Sequence, residues 1–323
     1  MQKQAHLLLT GGTGFFGKAL LRHWSAMEVQ CKELPLVTLV SRNPKVFIAN
    51  HTEFAGKAWL KLHQGDILLP GSLPQGDFTH VLHAATDSTL GPSLSPLDRY
   101  LQIVDGTRNV LDHAVMCKAT RLLLTSSGGV YGPQPPDMEH IPETYLGMPD
   151  PLVPANAYSV GKRAAEHLCA LYADKHGIEI VTARCFAFVG QDLPLDVHFA
   201  IGNFIRDALK SPKITVSGDG TPLRSYMDQR DLAQWIVTLL EYGQSGQAYN
   251  VGSDLPISIQ NLAFLIRDIL AQDKPVLIAG QHGNTNFRNR YVPSIAKART
   301  EFGLALEHTL EAAVRETARH AFS

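Results

Sequence analysis

Tyr158 and Lys162 stand four residues apart in AYSVGKRAAE, a spacing that puts two side chains on one face of a helix. An unperturbed phenol ionises near pH ~10, and a neighbouring ammonium favours its ionised form. Upstream, LLLTSSGGVYG closes an apolar run on the pair Ser126-Ser127. Such a tyrosine can exchange a proton with a hydroxyl or carbonyl while a serine holds the same oxygen. A Tyr-x-x-x-Lys pair is common on helices without any function. It gains meaning only beside a group that moves hydride.

That group is signalled in LLLTGGTGFFGKALLRHW, residues 7 to 24. Gly12, Gly14 and Gly17 fit G-x-G-x-x-G, and Gly11, Gly14 and Gly17 fit G-x-x-G-x-x-G. The stretch follows an apolar run and opens a helical one, the context in which such glycines mark a dinucleotide turn. They allow a tight turn and let backbone approach a pyrophosphate at the helix N-terminus. An NAD site carries an acid about 20 residues on, against the ribose hydroxyl. The corresponding strand end is Val40-Ser41-Arg42-Asn43, without a carboxylate. Arg42 either pairs with a 2′-phosphate, which favours NADP over NAD, or sits on an exposed turn.

The elements that must position these groups can be read from the apolar runs. HLLLTG, LVTLVS, HVLHAA, RLLLTSS and IEIVTARCF are short, continuous and bounded by turn residues, and amphipathic stretches separate the later ones. That alternation predicts an α/β fold with a Rossmann-type, doubly wound parallel sheet. Residues 1–190 are expected to form the NAD(P)-binding domain, with some later segments returning to it. Residues 191–323 are expected to form mainly a smaller C-terminal substrate-binding lobe. YNVGS reads as a further strand, and residues 258–272 and 308–321 as helices.

A formal net charge of −1 over 323 residues argues against a nucleic-acid or membrane-surface partner. No apolar stretch approaches the ~20 residues of a membrane span, and the apolar segment near the N-terminus is too short to be expected as a secretory signal. Cys31, Cys117, Cys169 and Cys185 are widely spaced, which reads as reduced, mostly buried thiols in a cytoplasmic protein. His80 and His83 point to opposite faces of their strand, and no ligand cluster stands behind a metal site.

Together these residues resemble the extended short-chain dehydrogenase/reductases, in the NAD(P)-dependent nucleotide-sugar epimerase/dehydratase branch. The resemblance implies cofactor contacts from Gly11, Thr13, Gly14, Phe15, Phe16 and Gly17 in the turn, and from Ser41 and Arg42. It implies further ones from Asp66 and Ile67 of GDIL, from Ala84, Ala85 and Thr86 of HAAT, and from Tyr158 and Lys162. The family's catalytic serine or threonine falls on Ser127, and its tyrosine and lysine on Tyr158 and Lys162. Asp87, Ser127, Asn203, Arg224 and Arg290 fall on substrate positions, the last three matching groups that reach a nucleotide diphosphate or ribose. Such enzymes dimerise through helices here placed at residues 100–116 and 157–174. Leu101, Val104 and Val110 on the first, and Leu168, Leu171 and Tyr172 on the second, form the expected apolar stripes.

The departures narrow the chemistry. Sugar 4,6-dehydratases carry Asp-Glu directly after the catalytic serine or threonine, and Gly128-Gly129 stands here, which argues against dehydration. Ala187 and Ile103 replace usual asparagines, and Ser294 a usual aspartate. The expected activity is nucleotide-sugar epimerisation or 4-keto-sugar reduction with NAD or NADP, in a homodimer. The alternatives are an NADP-dependent reductase of a non-nucleotide ketone or alcohol, of the flavonoid or steroid type, and a non-catalytic cofactor sensor.

Overall fold

The structure, a computed structural model, describes residues 5–30, 32–86, 93–197, 199–280 and 289–321. Cys31 and Asp87 lie outside the described residues. In chain order the first elements are β1 (His6–Thr10), α1 (Phe15–Val29), β2 (Leu36–Ser41), α2 (Pro44–Asn50), β3 (Leu60–Gln64) and β4 (His80–His83). Next come α3 (Pro96–Met116), β5 (Arg121–Ser127), α4 (Ala157–His176), β6 (Glu179–Cys185), β7 (Phe188–Val189) and α5 (Ala200–Lys210). Then follow β8 (Ile214–Val216), β9 (Leu223–Arg224), β10 (Met227–Asp228), α6 (Gln229–Tyr242) and β11 (Ala248–Val251). The last are β12 (Ile257–Ser258), α7 (Ile259–Leu270), β13 (Val276–Ile278), β14 (Arg290–Tyr291), α8 (Ala296–Phe302) and α9 (Leu310–His320).

The chain divides into two units, each discontinuous in sequence. The first comprises Met1–Val130, Pro149–Arg184 and Ala233–Tyr249, and the second Tyr131–Met148, Cys185–Leu232 and Asn250–Ser323. A seven-stranded sheet in the order β11-β6-β5-β4-β1-β2-β3 organises the first unit. The pairings of β3 with β2, β2 with β1, β1 with β4 and β4 with β5 are all parallel. Strand order reverses between β1 and β4, and ligands of such sheets bind at the strand ends of that reversal. The five apolar runs all form strands of this sheet. They are continuous rather than alternating because both sheet faces are covered: Leu7, Leu8 and Leu9 are all buried, as are Leu122, Leu123 and Leu124.

The edge strand β3 carried no such apolar run. In LKLHQ, Lys61, Leu62 and Gln64 are exposed, so backbone pairing with β2, rather than burial, makes this segment a strand.

Helices α3 and α4 pack on Leu8, Val81, Leu122 and Leu124 through Val110, Leu111, Ala114, Ala165 and Cys169. Each leucine so buried contributes about 1.5–3 kcal/mol. Val110 therefore belongs to the core and not to an outward stripe, because its turn of α3 faces the sheet. Ser95 caps α3 by accepting the Asp98 N–H at 3.1 Å, and α4 ends on Gly177 in the left-handed region, at φ 70°.

In the second unit α5, α7 and α9 enclose a separate core of Ile201, Phe204, Ile205, Leu262, Ile266, Ala313 and Val314. Ser258 and Thr309 cap α7 and α9, the two helices expected over 258–272 and 308–321. Buried Asn250 donates from Nδ2 to the Ile141 and Ser294 carbonyls and accepts the Tyr131 hydroxyl at 2.8 Å. No helix among the described residues is long and apolar enough to cross a membrane.

Candidate active site

The glycine turn leaves β1 and enters α1. Gly11 has φ +74°, and a Cβ there would overlap the Ala84 carbonyl. A Cβ on Gly17 would overlap the backbone of Gly12, so the first turn of α1 can lie against the turn only without a side chain at 17. Gly14 is the N-cap of α1, with no side-chain cap and no acidic residue in the first turn. The backbone N–H groups of this helix end suit a pyrophosphate, since the turn is kept clear of side chains and the helix end carries partial positive charge.

The other expected cofactor residues border the same sheet edge. Ser41 ends β2, its Oγ accepts the Asn43 N–H at 3.2 Å, and Arg42 is exposed. Ser72 fixes the segment after β3, accepting the Asp66 N–H at 2.9 Å and donating to the Asp66 carbonyl at 2.6 Å. Ile67 lies over Gly106 of α3, and Asn109 Nδ2 donates to its carbonyl at 2.9 Å. Gly11 meets Ala84, and Thr86 follows shortly after in the same segment.

Ser127 is the last residue of β5, and Tyr158 and Lys162 occupy the first two turns of α4. Lys162 is 3% exposed. Its ammonium donates to Thr86 Oγ1 at 2.8 Å and to the Thr125 carbonyl at 2.7 Å. Ser127 Oγ accepts the Gly129 N–H at 3.0 Å, which orients the hydroxyl. A Cβ on Gly129 would stand 2.6 Å from Ser159 Oγ, so this chain has no room for the second carboxylate of a dehydratase pair without moving Ser159. Ile103 is buried and faces Gly161, where a Cβ would come within 3.3 Å of its Cδ1. The asparagine's usual place is thus taken by a contact that brings α3 close to the turn carrying Tyr158 and Lys162.

Sequence reading missed the role of His83. Thr107 Oγ1 donates to the Ile103 carbonyl at 2.7 Å and therefore accepts from His83 Nε2 at 3.2 Å. In the neutral imidazole Nδ1 is then the acceptor for the Thr10 hydroxyl at 2.8 Å. Burial, with Lys162 adding to it, lowers its pKa to about 3. Cys117, Cys169 and Cys185 form no disulfide, and no metal-binding group of three or more His, Cys, Asp or Glu occurs among the described residues.

Asn203, Arg224 and Arg290 lie in the second unit. Asn203 is on α5, with Oδ1 accepting from Arg206 at 3.1 Å. Arg224 is in β9 and Arg290 in the adjacent β14. The register sets Arg290 opposite Leu223 and Tyr291 opposite Arg224, so the two arginines leave opposite faces of this small sheet. Arg290 reaches the Glu139 carbonyl. Ala187 accepts the Met227 N–H, and the Ser294 carbonyl holds Asn250.

Residues 7–252 match the family described as the NAD dependent epimerase/dehydratase family. UDP-glucuronic acid decarboxylase 6 of Arabidopsis thaliana is 29% identical over 302 residues, covering 94% of this chain and 84% of its own length. The fold is shared with UDP-glucuronic acid 4-epimerase from Bacillus cereus in complex with NAD, at TM-score 0.79, 21% identity and 98% coverage of both chains. It is shared equally with RMD from Pseudomonas aeruginosa complexed with NADPH, at TM-score 0.78, 24% identity and 98% coverage of both. A family match over most of the chain, on a fold that keeps the glycine turn clear of side chains, settles the membership: this chain belongs to the NAD-dependent epimerase/dehydratase family.

Proposed function

We propose that the protein uses NAD(P) to act on a nucleotide-linked sugar, by epimerisation or by reduction of a 4-keto sugar. One observation carries this reading: a dinucleotide turn, a strand-end serine and a Tyr–Lys helix are gathered in one unit, with Lys162 fastened to Thr86 and Thr125. A nicotinamide dinucleotide held at Gly11, Thr13, Gly14, Phe15, Phe16 and Gly17 supplies hydride acceptance and return. Tyr158 takes or gives the proton at the reacting sugar oxygen, and Ser127 donates a hydrogen bond to that oxygen. The charge of Lys162 favours the phenolate. Arg42, exposed at the end of β2, pairs with a 2′-phosphate and favours NADP.

Arg224 and Asn203 are assigned to the substrate diphosphate, because a guanidinium and an amide match its charge and acceptors. Arg290, on the opposite face of its sheet from Arg224, is left to a separate contact. The protein is read as a homodimer through α3 and α4. Leu97 is 65%, Leu101 42% and Leu171 51% exposed, which leaves apolar side chains on these two helices for a second copy to cover.

The named activity of the Arabidopsis relative favours a second reading. Oxidation at C4 of a sugar acid, with the hydride taken by NAD(P)+, would put a ketone β to the carboxylate. The C5–carboxylate bond would then break to release carbon dioxide, C5 would take up a proton, and the hydride would return to C4.

The test incubates the protein with NAD+ or NADP+ and UDP-, GDP-, CDP- and dTDP-linked sugars, following nicotinamide absorbance and products by NMR. Turnover of one of them, lost in Tyr158→Phe, is expected. Unchanged affinity of Arg224→Ala for every nucleoside diphosphate would remove the nucleotide part of the reading and favour a reductase of a free ketone or alcohol. Normal cofactor binding without any turnover would leave a sensor.

A further inference from the structure

We propose that Arg99 is a positioning residue for Tyr158, its guanidinium lying over the phenol ring to hold it and to favour the phenolate. The Arg99 guanidinium carbon is 4.6 Å from the Tyr158 ring centroid, within the range of a cation over an aromatic face. Both residues are half-buried, so solvent screens the contact only in part.

The sequence places Arg99 there for two local reasons. It lies in the first turn of α3, where Ser95 caps the helix and its carbonyl accepts the Arg99 N–H at 2.9 Å. Gly161 then lets α3 approach α4, with Ile103 and Tyr100 against the missing Cβ. An arginine at position 99 is thereby laid across the helix turn that begins with Tyr158.

Several other charged groups belong to the elements around Tyr158. Lys162 lies one turn along on α4, fastened to Thr86 and Thr125. Arg163, also on α4, donates to the Val130 carbonyl at 3.1 Å. Asp98, beside Arg99 on α3, is exposed and accepts the Ser95 hydroxyl at 2.6 Å. The end of β5 and the segment after β4 present the neutral hydroxyls of Ser127 and Thr86. His83, on β4, is kept neutral by burial. Ionisation of the phenol places negative charge on a ring that already faces a guanidinium, so the attraction is stronger for the phenolate than for the phenol. Arg99 thus works with Lys162, one cation along the ring face and the other along the helix.

The significance of this contact rests on the reading of Tyr158 as the proton-exchanging group, but its test does not. Tyrosine Cζ is labelled with carbon-13 in the full chain, and the Tyr158 signal is assigned by its loss in Tyr158→Phe. Its titration is compared in the wild type, Arg99→Met, Arg99→Gln and Arg99→Lys, without substrate. Both neutral variants should raise the midpoint by about half a pH unit, a roughly threefold weaker acid. Arg99→Lys should return it towards the wild-type value. An unchanged midpoint in whichever neutral variants fold overturns the proposal. So does an equal rise in Arg99→Lys and Arg99→Met, since the charge would then be irrelevant. A shifted midpoint in a protein inactive on every nucleotide sugar would refute the functional reading and leave the contact standing. An unshifted midpoint in an active enzyme would do the reverse.

Discussion

Lys162 and Thr86 are joined by a hydrogen bond of 2.8 Å across 76 residues of chain. It ties the second turn of α4 to the segment leaving β4, which itself abuts Gly11 of the glycine turn. One buried ammonium therefore links the helix of the expected proton site to the backbone beside the expected cofactor site.

Removal of that ammonium should cost activity more than it costs the fold. Lys162→Met is expected to lower kcat by about 10²- to 10⁴-fold, with Tyr158→Phe in the same range. Thr86→Val, which removes one of the lysine's partners, should fall between these and the wild type. Steady-state kinetics on the substrate found in the nucleotide-sugar screen measures all three. Equal activity of Lys162→Met and the wild type would remove Lys162 from the site.

Gly17→Ala should damage both stability and dinucleotide binding, because the new Cβ would overlap the rigid backbone of Gly12. The overpacking is expected to cost about 1–3 kcal/mol. Gly218→Ala, at a position with nothing within 4 Å, is the control and should leave the melting temperature nearly unchanged. Thermal melts with and without NAD+ or NADP+ distinguish the two, since a ligand that binds only the folded chain raises its apparent stability.

His83 makes stability fall in acid. Burial lowers its pKa from 6.5 to about 3. Between those values the unfolded chain binds a proton that the folded chain refuses, so stability drops as pH falls through this window. Burial also lowers the values for His6, His23, His80 and His113, which adds to the same slope. Urea unfolding from neutral pH down to about 4 should show a shallower loss in His83→Gln than in the wild type. Parallel curves would mean that His83 titrates normally.

Leu101→Glu should separate the proposed homodimer, because it puts a charge on an exposed apolar position of α3. Sedimentation is expected to give twice the 35.4 kDa chain mass for the wild type and the single mass for the variant. A wild type that sediments at the single mass at micromolar concentration contradicts the assignment.

The buried strands were legible because a parallel strand covered on both faces is a continuous apolar run, as in Leu7 to Leu9 and Leu122 to Leu124. The glycine turn and the Tyr158–Lys162 face were legible because both depend on spacings of a few residues. β3 was not, since an edge strand is defined by backbone pairing and LKLHQ leaves most of its side chains in water. Val110 carried the right apolarity for either face of α3, and only the sheet beneath it chose. The neutral tautomer of His83 depends on Thr10 and Thr107, and the fastening of Lys162 on Thr86 and Thr125. Arg224 and Arg290 looked alike in sequence until the register of β9 and β14 sent them to opposite faces. Local periodicity and turn chemistry thus determined which elements form and which groups could react. Strand order and register decided which of those groups meet, because contacts between residues dozens of positions apart leave no spacing to read.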